Sequence, residues 1–278
     1  MLVSNLYAYT CNFNITKKDI RKIENGGIFI SQGTNGIACL KNLDDRTIYY
    51  PIKNGTIEGR VILYHYGDVI ETSIPYKNGK KEGIAKQFYP SGAILIETPY
   101  KNNKREGILK EYYETGELNS EITYKNDKAN GIRKDYYIAG TIKQVMHYKD
   151  DYKHGKVVHY HDPKGVSLTV TYNMGVRDSD EIEYFPNGKI KLLTPYKNGV
   201  LNGVLKVNYE SGKPMFTIEY KDDLRHGSAK KYKENGKLEA VLVFDNDKIV
   251  SAKCLNGHKI TQEELEGYFY SIYRINCH

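Results

Sequence analysis

The sequence predicts an all-β fold of tandem 24-residue β-hairpin repeats with a short helix at each end. Three observations predict it. A tyrosine recurs at Tyr76, Tyr100, Tyr124, Tyr148, Tyr172, Tyr196 and Tyr220, always 24 residues apart, with Ile52 and Phe244 in the same slot at the two ends. Twelve residues after the anchor stands a second aromatic column, Tyr64, Phe88, Tyr112, Tyr136, Tyr160, Tyr184 and Tyr232, broken by Asn208. Four residues later comes glycine, at Gly92, Gly116, Gly140, Gly188, Gly212 and Gly236. A fixed period of this size signals units that bury their faces on their neighbours, and an aromatic strand end followed by a glycine turn signals a hairpin.

Residues 1–27 read as an N-terminal extension. Thr16 can cap a short helix with Asp19 three residues later, Ile20 and Ile23 on one face, and Asn25-Gly26-Gly27 as its stop. The array is expected over residues 28–257. Residues 28–51 form a degenerate first repeat in which Ile28 and Ile30, then Ile37 and Cys39, alternate; eight regular repeats span 52–243, and 244–257 is a decayed last copy. Terminal repeats are atypical because one side lacks a neighbour. In 258–278, Thr261 and Glu264 form a capping box and Leu265, Tyr268, Phe269 and Ile272 follow at helical spacing. That helix is expected to cover the last strand edge.

Each repeat has two turns. Pro90 and Pro186 stand two residues before the turn glycine, and proline suits the first corner of a type I turn. A three-residue loop with a left-handed glycine then fits. It pairs Tyr112 with Leu118 and Ile108 with Ile122, which sets aromatic and aliphatic columns on one face. The other turn lies in the Tyr-Lys-Asn-Gly stretch and ends at a second glycine column, Gly59, Gly83, Gly107, Gly131, Gly155, Gly203 and Gly227. Asn103, Asp127, Asp151 and Asp223 replace the glycine of that turn, since Asn and Asp accept left-handed conformations. Proline precedes the anchor at Pro51, Pro75, Pro99 and Pro195; lacking an N–H, it predicts an interrupted or bulged ladder there.

Of 278 residues, 41 are basic and 34 acidic, a formal charge of +7 that tilts towards an acidic partner without demanding one. Cys11, Cys39, Cys254 and Cys277 lie far apart and none belongs to a CxxC pair. That spacing argues against a disulfide framework and a zinc knuckle and fits a reducing compartment, with one long-range bridge through Cys39 or Cys254 left open. No basic, apolar leader precedes Cys11, Ala8-Tyr9-Thr10 makes a poor lipoprotein cleavage site, and no apolar run is long enough to span a bilayer. The expectation is a soluble cytoplasmic protein.

No Walker loop, GxSxG elbow, dinucleotide fingerprint or kinase signature is present, so no enzyme and no cofactor is expected. The candidate metal ligands are His159 and His161, with His154 or Asp162 nearby. No third ligand is fixed, and a solvated pair is the plainer reading. Partner-binding candidates are the lysine after each anchor, Lys77, Lys101, Lys125, Lys149, Lys197 and Lys221, and the tyrosines Tyr89, Tyr113, Tyr137 and Tyr209 that follow the second aromatic column. Rings beside lysines suit base stacking, although a single-layer sheet needs such rings for its own packing. Glu58, Glu82 and Glu106 stand five residues from their lysines across the same turn, which predicts neutralisation within the turn.

The two-strand unit with aromatic-Lys-Asn-Gly and a glycine a few residues on resembles the MORN repeat, and more closely the bacterial MORN-variant repeat of the YwqK-type antitoxin family, over residues 52–244. The resemblance implies an elongated single-layer twisted antiparallel sheet to which each repeat adds one MORN-like hairpin. It also implies a non-catalytic protein-binding scaffold, an antitoxin or immunity protein that occludes a toxin encoded nearby. Peripheral attachment to anionic membranes through the lysine ridge is the alternative, with nucleic acid binding a third reading. At Met174 to Ser179 the turn asparagine and closing glycine are lost, and at Pro163 to Gly165 the glycine slips by one. Such copies are where a kink or a particular contact is expected.

Overall fold

The computed structural model describes residues 11–14, 34–41, 46–65, 69–260, 275 and 277. The chain divides into two compact units, Met1–Gly140 and Thr141–His278. In the first, Gly36–Lys41, Thr47–Lys53, Gly59–Tyr64, Ile70–Lys77, Gly83–Phe88, Ile94–Lys101, Gly107–Tyr112, Leu118–Lys125 and Lys128–Tyr136 each pair antiparallel with the next. In the second, Ile142–Lys149, Gly155–Tyr160, Val166–Asn173, Glu181–Tyr184, Ile190–Thr194, Gly203–Asn208, Pro214–Lys221, Leu224–Tyr232, Leu238–Asp245 and Lys248–Cys254 do the same.

The fold is all-β, but the expected terminal helices need correction. No helix occurs among the described residues, and the segments read as helical, 16–25 and 261–272, lie outside them. What is described of the termini is fastened by other means. Phe13–Asn14 adds as a parallel strand beside Ala38 and Cys39, taking up backbone groups that a sheet edge leaves open. Cys11 is disulfide-bonded to Cys39 and Cys254 to Cys277. The spacing argument against disulfides is thereby overturned: residues 28 and 23 apart in sequence meet because each terminal segment folds back on the outermost described strand.

The first turn forms as expected. Tyr113 N donates to Glu117 O at 2.9 Å, Gly116 N to Tyr113 O at 2.9 Å, and Gly116 sits at φ +100°. Tyr112 pairs with Leu118. Beyond that pair the expected register fails, because Glu111 faces Ser120 and Asn119 is left over as a bulge. One extra residue reverses which side chains share a face. Leu109, not Ile108, therefore lies opposite Ile122; Ile122 is buried and Ile108 is 49% exposed. The same shift occurs between Gln87 and Phe88 and between His159 and Tyr160.

The second turn is a two-residue type I′ turn, with Asn102 at φ +49° and Asn103 at φ +71° between the paired Lys101 and Lys104. Met174 holds φ +45°, so the Met174-Gly175 copy keeps this geometry without its asparagine. After the turn the ladder is interrupted beside the proline position, where Glu106 N bonds Pro99 O at 3.1 Å. His147 and Thr171 accept the same bond, so proline is not its cause. Nor is the second glycine column, since Ser179 holds that position in the Thr171 copy; glycine is needed locally at Gly107, where φ is +119° and a Cβ would meet the Pro99 ring at 3.2 Å.

The buried stripe runs along one face of each unit. It includes Val61, Ala85 and Ile122 in the first and Val157, Val170, Leu205, Ile218, Ala229 and Leu242 in the second. Ile275 and Cys277 complete the cluster around Phe216, Leu242 and Phe244.

Candidate interaction surface

Most chemistry that repeats every 24 residues is spent joining one repeat to the next. The residue five after each anchor lies opposite it across the type I′ hairpin, as Lys81 opposite Tyr76 and Arg105 opposite Tyr100. At five of these positions it is a cation that reaches over the ring of the following anchor. Lys81 lies 5.3 Å from the Tyr100 centroid, Arg105 4.0 Å from Tyr124, Lys153 5.3 Å from Tyr172, Arg177 5.0 Å from Tyr196 and Arg225 4.7 Å from Phe244. A cation over a ring face is held by the ring quadrupole. The anchors Tyr76 and Tyr220 are buried, and Tyr100, Tyr124, Tyr148, Tyr172 and Tyr196 half-buried. This cationic column stands in the sequence at the same period, but it is interrupted at Ile57, Ala129 and Leu201, whereas the lysine directly after each anchor recurs more regularly.

The carboxylates expected to neutralise those lysines turn elsewhere. Glu58, Glu82 and Glu106 accept the backbone N–H of Asn78, Asn102 and Asn126, each in the next repeat's turn, at 2.7, 2.8 and 2.8 Å. Asn103, Asp127, Asp223 and Asp247 do more than tolerate a left-handed φ. Each accepts the backbone N–H of the preceding repeat, from Lys81, Arg105, Leu201 and Arg225 respectively. Arg225 also donates to the Asp247 carboxylate, and this bond holds its pKa below the ordinary value.

Three of the candidate tyrosines prove to be staples. Tyr89 OH donates to Tyr112 O at 3.0 Å, Tyr113 OH to Tyr136 O at 2.8 Å and Tyr209 OH to Tyr232 O at 2.9 Å. Tyr137 is half-buried at the equivalent place. His161 substitutes for tyrosine in this column and bonds Tyr184 O through Nε2 at 3.2 Å, so one of the two metal candidates is engaged in the sheet. His159 pairs with Leu168. Among the described residues no group of three His, Cys, Asp or Glu side chains is placed to hold a metal ion.

The outer face of the first unit carries a transverse charged row in which Lys86, Glu97, Lys110, Glu121 and Lys134 lie directly opposite one another in turn. Lys86 Nζ is 2.8 Å from Glu97 and Lys134 Nζ 2.9 Å from Glu121. Tyr112 OH donates to Glu97 and Tyr136 OH to Glu121. The lysine bonds outweigh burial and keep both carboxyls below the usual carboxylate range, whereas burial and the neighbouring carboxylate push the two phenols up. In the second unit the row Val145, Val158, Thr169, Ile182 and Leu193 is uncharged and, but for Thr169, apolar.

The lysines Lys77, Lys101, Lys125, Lys149, Lys197 and Lys221 all stand exposed at the turn tips. In the first unit each faces another lysine, Lys77 with Lys80, Lys101 with Lys104 and Lys125 with Lys128. Beside them Ile84, Ile108 and Ile132 are 48, 49 and 42% exposed.

No curated protein matches the chain. Among solved structures, a TcdB2-TccC3-Cdc42 crystal structure is 10% identical, covering 77% of this chain and 12% of its own, with a TM-score of 0.17. The chain thus spans about an eighth of that protein's length. A porin-like protein from Bacteroides uniformis ATCC 8492 is 10% identical, covering 76% of this chain and 90% of its own, with a TM-score of 0.19. Scores this low carry no structural argument. Residues 81–102, 105–126, 177–198, 201–222 and 225–246 match the family described as MORN repeat variant, and these five segments are repeats of the kind described above.

Proposed function

We propose that the protein is a non-catalytic scaffold for protein binding, and that within this role it is an antitoxin or immunity protein that occludes a toxin. The observation behind the scaffold reading is the division of labour between columns. Recurring rings, cations and carboxylates are bonded to the neighbouring repeat, whereas the second turn-tip residue, Lys80, Lys104 and Lys128 giving way to Tyr152, Val176 and Leu224, changes between copies and stays exposed. A binding surface needs such local individuality on a common frame. Five segments match a repeat family generally without enzymatic activity. The antitoxin role rests on the resemblance to the YwqK-type family.

The test is to express each reading frame adjacent to the gene with and without this protein. Growth arrest relieved by the protein, together with a stable purified complex, supports the proposal. Growth indifferent to its absence for every neighbour removes the antitoxin role. The exposed lysines at successive tips favour a second reading, attachment to anionic membranes. Flotation with phosphatidylserine vesicles at low and high salt distinguishes it, since indifference to lipid charge ends that reading.

A further inference from the structure

Resting on the scaffold reading, we infer that the outer face of the first unit is a docking surface for an acidic amphipathic α-helix of a partner protein. The first ground is charge. Lys77 and Lys80, Lys101 and Lys104, and Lys125 and Lys128 are direct cross-strand pairs at three consecutive turns, and all are exposed. Like charges set opposite one another work against the hairpin that carries them. Glu58, Glu82 and Glu106, held at these turns by bonds from backbone N–H groups, offset one lysine of each pair, and Asp127 is paired with Arg105. Lysines outnumber acids along these tips, so the ridge presents positive charge outward.

The second ground is the exposed aliphatic row. Ile84 lies opposite Pro99 and Ile108 opposite Thr123. Lys101 and Lys125 are two residues beyond Pro99 and Thr123, hence on the same face of the strand. Each isoleucine thus has a lysine tip beside it, and Ile132 continues the row. In the second unit the equivalent positions are Lys156, Asp180, Val204 and Ser228, and the second tip lysine gives way to Tyr152, Val176, Val200 and Leu224. The combination of paired lysines and aliphatic row belongs to the first unit alone.

Spacing selects the occupant. Two strands per repeat, about 4.8 Å each, place the isoleucines about 10 Å apart. An α-helix presents the same face every seven residues, about 10.5 Å, so two heptads meet all three isoleucines nearly in step. An extended strand returns to one face every ~6.7 Å and falls out of step. A polyproline helix also repeats near ~9.3 Å, but an α-helix about 10–12 Å across reaches both the isoleucines and the lysine tips about 7 Å away. Aliphatic residues would seat on the isoleucines and carboxylates on the lysines.

The experiment is fluorescence anisotropy of the full chain with a fluorescein-labelled, helix-stapled peptide of about two and a half heptads, leucine on the seam and glutamate on one flank. Saturable binding that weakens steeply with salt is expected. It should weaken about tenfold in Ile108→Ser and in the double variant Lys101→Glu/Lys104→Glu, and be unchanged in Val204→Ser. Circular dichroism checks that each variant is folded, all substituted positions being exposed. Equal affinity across the variants, no saturation at millimolar peptide, tighter binding of an acidic polyproline peptide, or binding to phosphatidylserine vesicles alone each overturns the inference. A toxin held equally well by wild type and Ile108→Ser would overturn it while leaving the scaffold reading intact.

Discussion

Replacing Arg105 tests whether cations over rings hold the repeats together. Its guanidinium lies 4.0 Å from the Tyr124 ring centroid, its Nη2 donates to the Asp127 carbonyl at 2.6 Å, and its Nε is 3.5 Å from the Asp127 carboxylate. The two side chains of the ion pair are 35 and 47% exposed, so solvent leaves that pair about 0–0.5 kcal/mol. The ring contact adds about 0.5–1 kcal/mol, and the bond to the carbonyl about 1 kcal/mol. Arg105→Met keeps the aliphatic stem and should therefore destabilise the protein by about 1.5–2.5 kcal/mol. Arg105→Lys should lose less, because Lys81 makes the equivalent ring contact at 5.3 Å. Urea titration followed by circular dichroism measures the loss, and a double-mutant cycle with Tyr124→Leu isolates the ring term at about 0.5–1 kcal/mol. A coupling energy of zero would refute the cation-over-ring link. A total cost below about 0.5 kcal/mol would refute the view that this column staples repeats.

Three further outcomes are expected. Tyr113→Phe should cost about 0.5–1.5 kcal/mol in thermal unfolding by leaving the Tyr136 carbonyl without its donor, with Tyr89→Phe and Tyr209→Phe behaving alike. Glu97 and Glu121 have folded pKa values below their unfolded value, near ~4.3, so their stabilisation is present above that pH and is lost as pH falls through the folded value. Urea midpoints should accordingly hold steady down to about pH 4.5 and drop below it, with a shallower drop in Glu97→Gln/Glu121→Gln. Breaking the Cys254–Cys277 bond, by reductant or by alanine at both positions, should cost about 2–4 kcal/mol in melting experiments and loosen Ile275 from the Leu242 cluster.

Much of the fold was legible because its determinants are local and repeat. The type I′ turn follows from Asn-Gly and its Asn/Asp variants, and the three-residue loop from proline and glycine at fixed offsets. The candidate site was less legible. Tyr89 and Tyr113 looked like surface rings, yet their hydroxyls bond carbonyls 23 residues away. Glu82 looked like a partner for a lysine in its own turn, yet it serves the next one. Contacts between repeats depend on how neighbouring hairpins are offset, which no single repeat encodes.

The 24-residue period, the two turns and the strand content were determined by the amino-acid order alone, since left-handed backbone and alternating side chains are set within a few residues. Only the tertiary structure decided which face each side chain takes. The bulge at Asn119 and its equivalents shifts the strands by one residue, which sets half-buried Leu109 opposite buried Ile122 and turns Ile108 outward beside the lysine tips. The same held for the cysteines, whose pairing depends on where the terminal segments return to the sheet. Pattern specifies local conformation; the register between strands is a balance of packing and hydrogen bonding across the whole ladder.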